Sequence, residues 1–281
     1  MKTESMVNSI IESKHVLSLL DQDKRLDKRG PMDYRPLNIQ TGNIKKAEGS
    51  ARVRLGKTMI YAGVKAEVGN PFPDTPNDGV LIVNIELSPI ASPWYESGPP
   101  SKEAIELARV VDRTIRESHV IDVEKLCVKP GKKVWIVFVD IYVLADYGNL
   151  IDASTLGVMA ALANTKIPKY VPDPENEDEL IPSEEMVNLP LQRWATSMTF
   201  SKIGDKVILD PLLKEEVVES TRFTVGITEN GEVCAMQKGL AGTFTKDDIF
   251  NLIDVAAEKA VQRIQELKDL VENNNWPEEI L

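Results

Sequence analysis

Cysteine and histidine are scarce in this 281-residue chain, with two of each: Cys127 and Cys234, His15 and His119. Two thiols far apart exclude a disulfide scaffold, and two lone imidazoles without paired cysteine spacing exclude the usual structural zinc cluster. No apolar run approaches the roughly eighteen residues of a membrane helix. Met1-Lys2-Thr3-Glu4-Ser5 lacks the apolar core of a secretory leader. The expected compartment is the cytoplasm, with no membrane partner. Positive charge is also in deficit, 33 Lys and Arg against 44 Asp and Glu, for a net charge of −11. Phosphate binding follows cation density, so a surface that attracts nucleic acid everywhere is excluded and any RNA contact must be a local patch.

What remains is 42% hydrophobic, enough for one large core or two medium ones. Val7 to Leu20 has helical apolar spacing, and Leu37–Gln40, Ala51–Leu55, Thr58–Val68 and Val80–Leu87 read as short strands bounded by Gly, Asn or Pro. The proline-bearing stretches 69–79 and 88–100 read as surface loops. Ser101 caps a helix to about Ser118, with an apolar stripe at Ile105, Ala108, Val111 and Ile115. The acid- and proline-rich Pro172 to Pro182 reads as a solvated loop. After Trp194 come strands at Met198–Ile203, Val207–Asp210, Phe223–Thr228 and Glu232–Lys238, with a hairpin turn at Glu229-Asn230-Gly231. A capping box at Thr245 and Asp248 opens a helix to near Asn273. The pattern is α+β in two parts, divided near residue 190.

One turn stands out. Val134 to Leu144 is a β-branched and aromatic run, Ala153 to Ala163 is rich in Ala, Leu and Met, and Asp146-Tyr147-Gly148-Asn149-Leu150-Ile151-Asp152 lies between them. A helix start after a glycine turn presents free N–H groups and a positive dipole end, which suit an anion. Here the turn offers Asn149, Leu150 and Asp152 in place of Arg, Lys or Thr. Either Asn149 or Asp152 could cap the N–H groups, and a carboxylate there repels phosphate.

The order Arg25 to Arg35 followed by Pro36, then Gly49-Ser50-Ala51, Leu55-Gly56 and Thr58, the Ala145-Asp146 turn, and Leu209-Asp210 with Glu215-Glu216, resembles the RNase PH family over nearly the whole chain. Catalytic members carry a Gly-Thr-Arg or Gly-Ser-Arg phosphate turn and an acidic pair six residues apart. On this sequence those places hold Gly148-Asn149-Leu150, and Glu216 with Arg222. These departures resemble the larger, non-catalytic RNase PH-like subunit of the archaeal exosome. The resemblance implies a first domain like the second domain of ribosomal protein S5, then a smaller RNase PH C-terminal α/β domain. The expected bounds are a helical extension over 1–30, the first domain over 31–190 and the second over 191–281. It further implies no catalytic residue or cofactor of its own, and a catalytic RNase PH-like partner alternating with it, three of each, in a hexameric ring. S1/KH-type cap proteins and single-stranded RNA are the other expected partners. The rival expectations are a chain that is itself a phosphorolytic 3′–5′ exoribonuclease, with Arg222 and Glu216 in the missing roles, and an architectural protein without RNA contact.

Arg109, Arg113 and Arg116 share one helix face, matching a row of phosphates or a solvated face paired with Glu106, Asp112 and Glu117. The resemblance places this helix beside the RNA path, so these three are the candidate RNA-binding residues. Lys24, Arg25, Lys28, Arg29 and Arg35 form a basic cluster that fits RNA, an acidic neighbour or structural ion pairs. Lys28 stands where the family usually has the glycine of Asp-Gly-Arg, which questions the turn geometry. Asp210, Glu215, Glu216 and Glu219 could hold magnesium but read more simply as a solvated acidic turn. Gly56-Lys57-Thr58 lacks the earlier glycine of a nucleotide-binding loop, and Asp146 with Tyr147 lacks an orienting partner for acid–base work.

Overall fold

Alternation decides the first sheet. In β2 (Gly49–Leu55) and β3 (Thr58–Gly69), Ala51, Val53, Leu55, Ile60, Ala62 and Val64 turn to a buried side, while Arg52, Arg54 and Tyr61 turn outward. The computed structural model describes residues 14–173, 180–274 and 276. β1 (Leu37–Thr41) pairs with β2, and β3 with β6 (Lys133–Ala145), all antiparallel. β4 (Val80–Leu87) lies parallel to β6 at the end of the order β1-β2-β3-β6-β4, with β5 (Cys127–Lys129) beside the start of β6. Parallel neighbours need a crossover, and α2 (Lys102–Glu117), capped by Ser101 and packed on β4, is part of it.

α3 (Leu150–Ala163) is mostly apolar and buried on every side: it lies on β2 and β3 and meets β9 (Ala195–Ile203) of the second sheet. Gly157 permits the approach, because a Cβ there would overlap Ile60. The second sheet runs β10-β9-β11-β12, antiparallel throughout, with β10 (Lys206–Leu209), β11 (Thr221–Thr228) and β12 (Val233–Gly239). α5 (Lys246–Asn273) starts at the Thr245–Asp248 capping box. Its Leu252, Ala256 and Ala260 join the core of the second sheet, whereas Leu267 joins that of the first, so one helix serves both.

One expectation holds over the described residues and two change. The helix expected over Val7 to Leu20 is helical over 14–20 (α1), with Val16 and Leu20 against Ile203 and Ile208; residues 7–13 lie outside those described. The loop expected over Pro172 to Pro182 is instead the end of β7 (Lys166–Pro172) and the start of β8 (Leu180–Asn188), an antiparallel ribbon, with 174–179 outside the described residues. A two-stranded ribbon has two outer edges, where proline's missing N–H breaks no ladder. On α2 the buried side is Ala104, Leu107, Val110, Val111, Thr114 and Ile115, whereas Ile105 is 50% exposed. Ile105 lies one turn before Arg109, on the arginine side of the helix rather than opposite it.

The N-terminal segment is locked to α4 (Leu213–Glu216), a single turn after β10. Arg25 and Glu215, both with side chains 0% exposed, are joined by Nε to Oε1 at 3.0 Å and Nη2 to Oε2 at 2.5 Å. Arg25 also donates to the Leu209 and Asp210 carbonyls. Removing one member of a buried pair strands the other charge, so Glu215→Ala is expected to lower stability by about 3–5 kcal/mol. Arg25→Met with Glu215→Leu should recover most of that loss. Urea denaturation checks both, and a loss under about 1 kcal/mol for the single variant contradicts this account.

Candidate functional site

The turn between β6 and α3 is filled by the chain's own groups. Gly148 (φ +91°) is required twice, because it is left-handed and because a Cβ would overlap the backbone of Pro211, Leu212 and Leu213. The Leu213 N–H donates to the Tyr147 carbonyl, holding α4 against the turn. Asn149 (φ +54°) is the N-cap of α3, its side-chain oxygen accepting from the Asp152 N–H. Of the two capping residues the sequence allows, Asn149 is the one used.

The Asn149 N–H donates to Glu216 Oε1 at 2.7 Å. A carboxylate from α4 thus lies at the helix start where an external anion would bind. The Asn149 Nδ2 donates to Asp210 Oδ1 at 2.7 Å and to Asp152 Oδ2 at 2.9 Å. Asp152, fully buried, also accepts from Tyr34 Oη, Ser197 Oγ, and both the N–H and Oγ1 of Thr199, which ties α3 to β9. Burial pushes its carboxyl up against the pull of these donors, with a net rise. Asp146 accepts from Tyr95 Oη at 2.5 Å and from the Gly148 N–H at 3.0 Å. Asp146 and Tyr147 form no acid–base pair.

Arg25, Arg29 and Arg35 of the basic cluster pair with Asp210 and Glu215 of the acidic group, so of the alternatives open for the cluster the structural ion pairs hold for these three, and the solvated-turn reading of Asp210 and Glu215 is corrected. Asp210, 0% exposed, accepts from Arg35 through its backbone N, Nε and Nη2 at 2.8, 2.9 and 2.7 Å, and from Arg29 Nη1 at 2.9 Å. Burial raises its carboxyl, but the Arg35 hydrogen bonds and charge and the Arg29 charge prevail and hold it below the usual range. Arg35 reaches on to the Tyr147 and Gly148 carbonyls. Lys28 has φ +69°, so the left-handed turn is kept with a lysine where the family usually has glycine.

Glu216 and Glu219 are half-buried and differ from that pair. Burial, with Asp146 nearby, pushes Glu216 up to about 7 against the Asn149 N–H; burial and the Glu216 charge push Glu219 up to about 8. Arg222 offsets both only in part, because its guanidinium is bound to Glu106 at 2.8 Å. Glu219 Oε2 is buried with no hydrogen-bond partner. Among the described residues no group of His, Cys, Asp and Glu is disposed to hold a metal.

Arg109, Arg113 and Arg116 are all exposed on α2. Arg116 is drawn to Asp112 at 2.7 Å and to the Leu81 carbonyl at 3.4 Å, while Arg109 and Arg113 flank a shallow cavity of about 130 Å³ with Glu106 and Gln237. Sequence reasoning missed Tyr95, Tyr34 and the Glu216 contact. Their partners lie 51, 118 and 67 residues away, beyond any local pattern.

The raised carboxyls set a pH dependence. Each binds its proton more tightly folded than unfolded, so their contribution is complete below the ordinary 4.5 and is lost as pH rises through about 7 to 8. Glu216→Gln with Glu219→Gln should flatten that loss, measured as denaturation midpoints at about pH 5.5 and about pH 8.5; parallel profiles contradict it.

Two family models match: 3′ exoribonuclease family domain 1 over residues 33–168, and domain 2 over 195–259. The Exosome complex component Rrp42 of Methanothermobacter thermautotrophicus is 47% identical over 257 residues, covering 92% of this chain and 94% of its own. That of Pyrococcus furiosus is 43% identical, covering 99% and 100%. A solved chain from the Archaeoglobus fulgidus exosome with RNA bound to the active site superposes with TM-score 0.85 at 43% identity, covering 92% of this chain and 98% of that one. An archaeal exosome core chain gives 0.81 at 40%, covering 93% and 98%. Rice Rrp46, at TM-score 0.65 and 20% identity over 88% and 100%, shares the fold. With both domains matched in order and close relatives along nearly its whole length, the chain belongs to the RNase PH, or 3′ exoribonuclease, family.

Proposed function

We propose that this chain is the non-catalytic, RNA-engaging subunit of an archaeal-type exosome, a complex that shortens RNA from the 3′ end using inorganic phosphate. Relatives along nearly the whole chain are exosome components, and a close structural neighbour comes from an exosome with RNA at its active site. The observation that carries the non-catalytic part is the Glu216 carboxylate on the Asn149 N–H. Phosphorolysis must gather a second anion beside the RNA phosphate, and only preformed positive groups can stabilise that charge. In this turn the helix start is taken by a carboxylate, and the nearby guanidiniums are taken by Asp210 and Glu215. Leu150 offers no replacement.

In this reading the catalytic groups come from an RNase PH-like partner that alternates with this chain, three of each, in a ring to which S1/KH-type cap proteins attach. Arg109 and Arg113 supply mobile cations for the RNA backbone, with Arg116 a weaker third because Asp112 competes for it. The second reading, a chain active by itself, draws on Glu216, since an acid held up to about 7 suits proton transfer near neutral pH. Its weakness is the phosphate, because Arg35 is committed to the Tyr147 and Gly148 carbonyls and Arg222 to Glu106.

Phosphate-dependent shortening of a 3′-labelled single-stranded RNA tests this, using the chain alone, the catalytic partner alone and the mixture. The expected result is no shortening by this chain alone and much greater shortening by the mixture than by the partner. Arg109→Glu with Arg113→Glu in the mixture should weaken RNA binding and reduce the salt-dependence slope by about 2. Robust activity of the chain alone overturns the reading, and unchanged affinity at low salt removes the arginines from it.

A further inference from the structure

We infer that the outer face of the first sheet, at β2 and β3, is a docking site for residues 277–281 of this same chain. The end of α5 sets the direction. Asn274, left-handed at φ +47°, closes the helix, and its side chain holds both polar groups of the Thr41 backbone on β1. It accepts from the Thr41 N–H at 2.7 Å and donates to the Thr41 carbonyl at 3.4 Å. Two residues on, the Trp276 ring centre lies 3.6 Å from the guanidinium carbon of Arg52, a cation–π contact. Leu267 of α5 packs in the core on the inner side of this sheet, whereas Arg52 turns to the outer side. Between Leu267 and Trp276 the chain has therefore passed around the β1 edge.

The face that Trp276 reaches matches the residues that come next. Register places Arg52 beside Gln40 on β1 and Tyr61 on β3, and Arg54 beside Met59. Arg52 Nη2 donates to Gln40 Oε1 at 2.9 Å, but the Nε atoms of Arg52 and Arg54 are buried without a hydrogen-bond partner. Donors left in that state favour an added acceptor. After Trp276 the sequence reads Pro277, Glu278, Glu279, Ile280 and Leu281. Two carboxylates suit the two arginines, and two aliphatic side chains suit Met59 and Tyr61. Reach is sufficient, since five extended residues span about 17 Å and neighbouring strands lie about 4.8 Å apart. Charge also sets the limit of the site. Beyond Tyr61 the outer face carries Asp140 on β6 and Glu86 on β4, which repel Glu278 and Glu279. The segment therefore lies over β2 and β3 and leaves β4 clear. Docked there, it closes a cationic and aromatic strip that another chain could otherwise occupy. The inference stands independently of the exosome reading.

NMR of the isotope-labelled chain, intact and with residues 277–281 deleted, tests it. Deletion should move the amide signals of Arg54, Met59 and Tyr61 and leave those of Asn84 and Glu86 in place. In the intact chain Glu279 and Ile280 should show backbone order parameters of about 0.85, falling below about 0.6 in Arg52→Glu with Arg54→Glu. The deleted chain keeps both arginines, so it decides the question if the double variant fails to fold. Unmoved Arg54, Met59 and Tyr61 signals on deletion, or order parameters below about 0.6 at Glu279 and Ile280 in the intact chain, overturn the proposal. Signals of the intact chain that move on tenfold dilution toward those of the deleted chain overturn it in favour of a second copy. Single-stranded RNA that shifts the same amides equally in the intact and deleted chains overturns the segment as occupant.

Discussion

The Asp210 carboxylate is the point on which the rest of the molecule hangs. It is fully buried and accepts from Arg29, Arg35 and Asn149, three residues from two distant parts of the chain. A charge with no exposure is tolerable only when matched so completely, since an unpaired buried carboxylate would cost several kcal/mol. The match fixes the N-terminal segment, the β6–α3 turn and the start of α4 relative to one another. Arg25 with Glu215 repeats the arrangement one turn further on.

That matching has a chemical consequence. Cations near a helix start are what a phosphate site needs, and here three are committed inward, to Asp210 and Glu215. The Asn149 N–H at the turn is held by Glu216. The groups near this turn that could bind an external anion thus bind internal ones. The retained fold still presents α2 with its arginines, flanked by the edge of β4 on one side and β12 on the other.

The sequence made the sheets legible because period-two alternation survives in β2 and β3, and it made α3 legible because Ala, Leu and Met fill it. The turn was legible from the absence of a cation. The β7–β8 ribbon was hidden because its prolines and acids look like a loop when ladder pairing is ignored. Ile105 was misplaced by counting a stripe that the α2 packing does not follow. Which acids the arginines pair with could not be read. Arg35 and Asp210 are 175 residues apart, and a cluster of arginines looks the same whether its partner is RNA or a buried carboxylate.

The central claim, that Glu216 fills the anion position of the turn, is tested most directly by titrating the isotope-labelled chain with inorganic phosphate and following the Asn149 amide by NMR. The account predicts an Asn149 signal that stays in place through millimolar phosphate in the native chain and moves saturably in Glu216→Ala. A saturable shift of Asn149 and Leu150 in the native chain at submillimolar phosphate would contradict it.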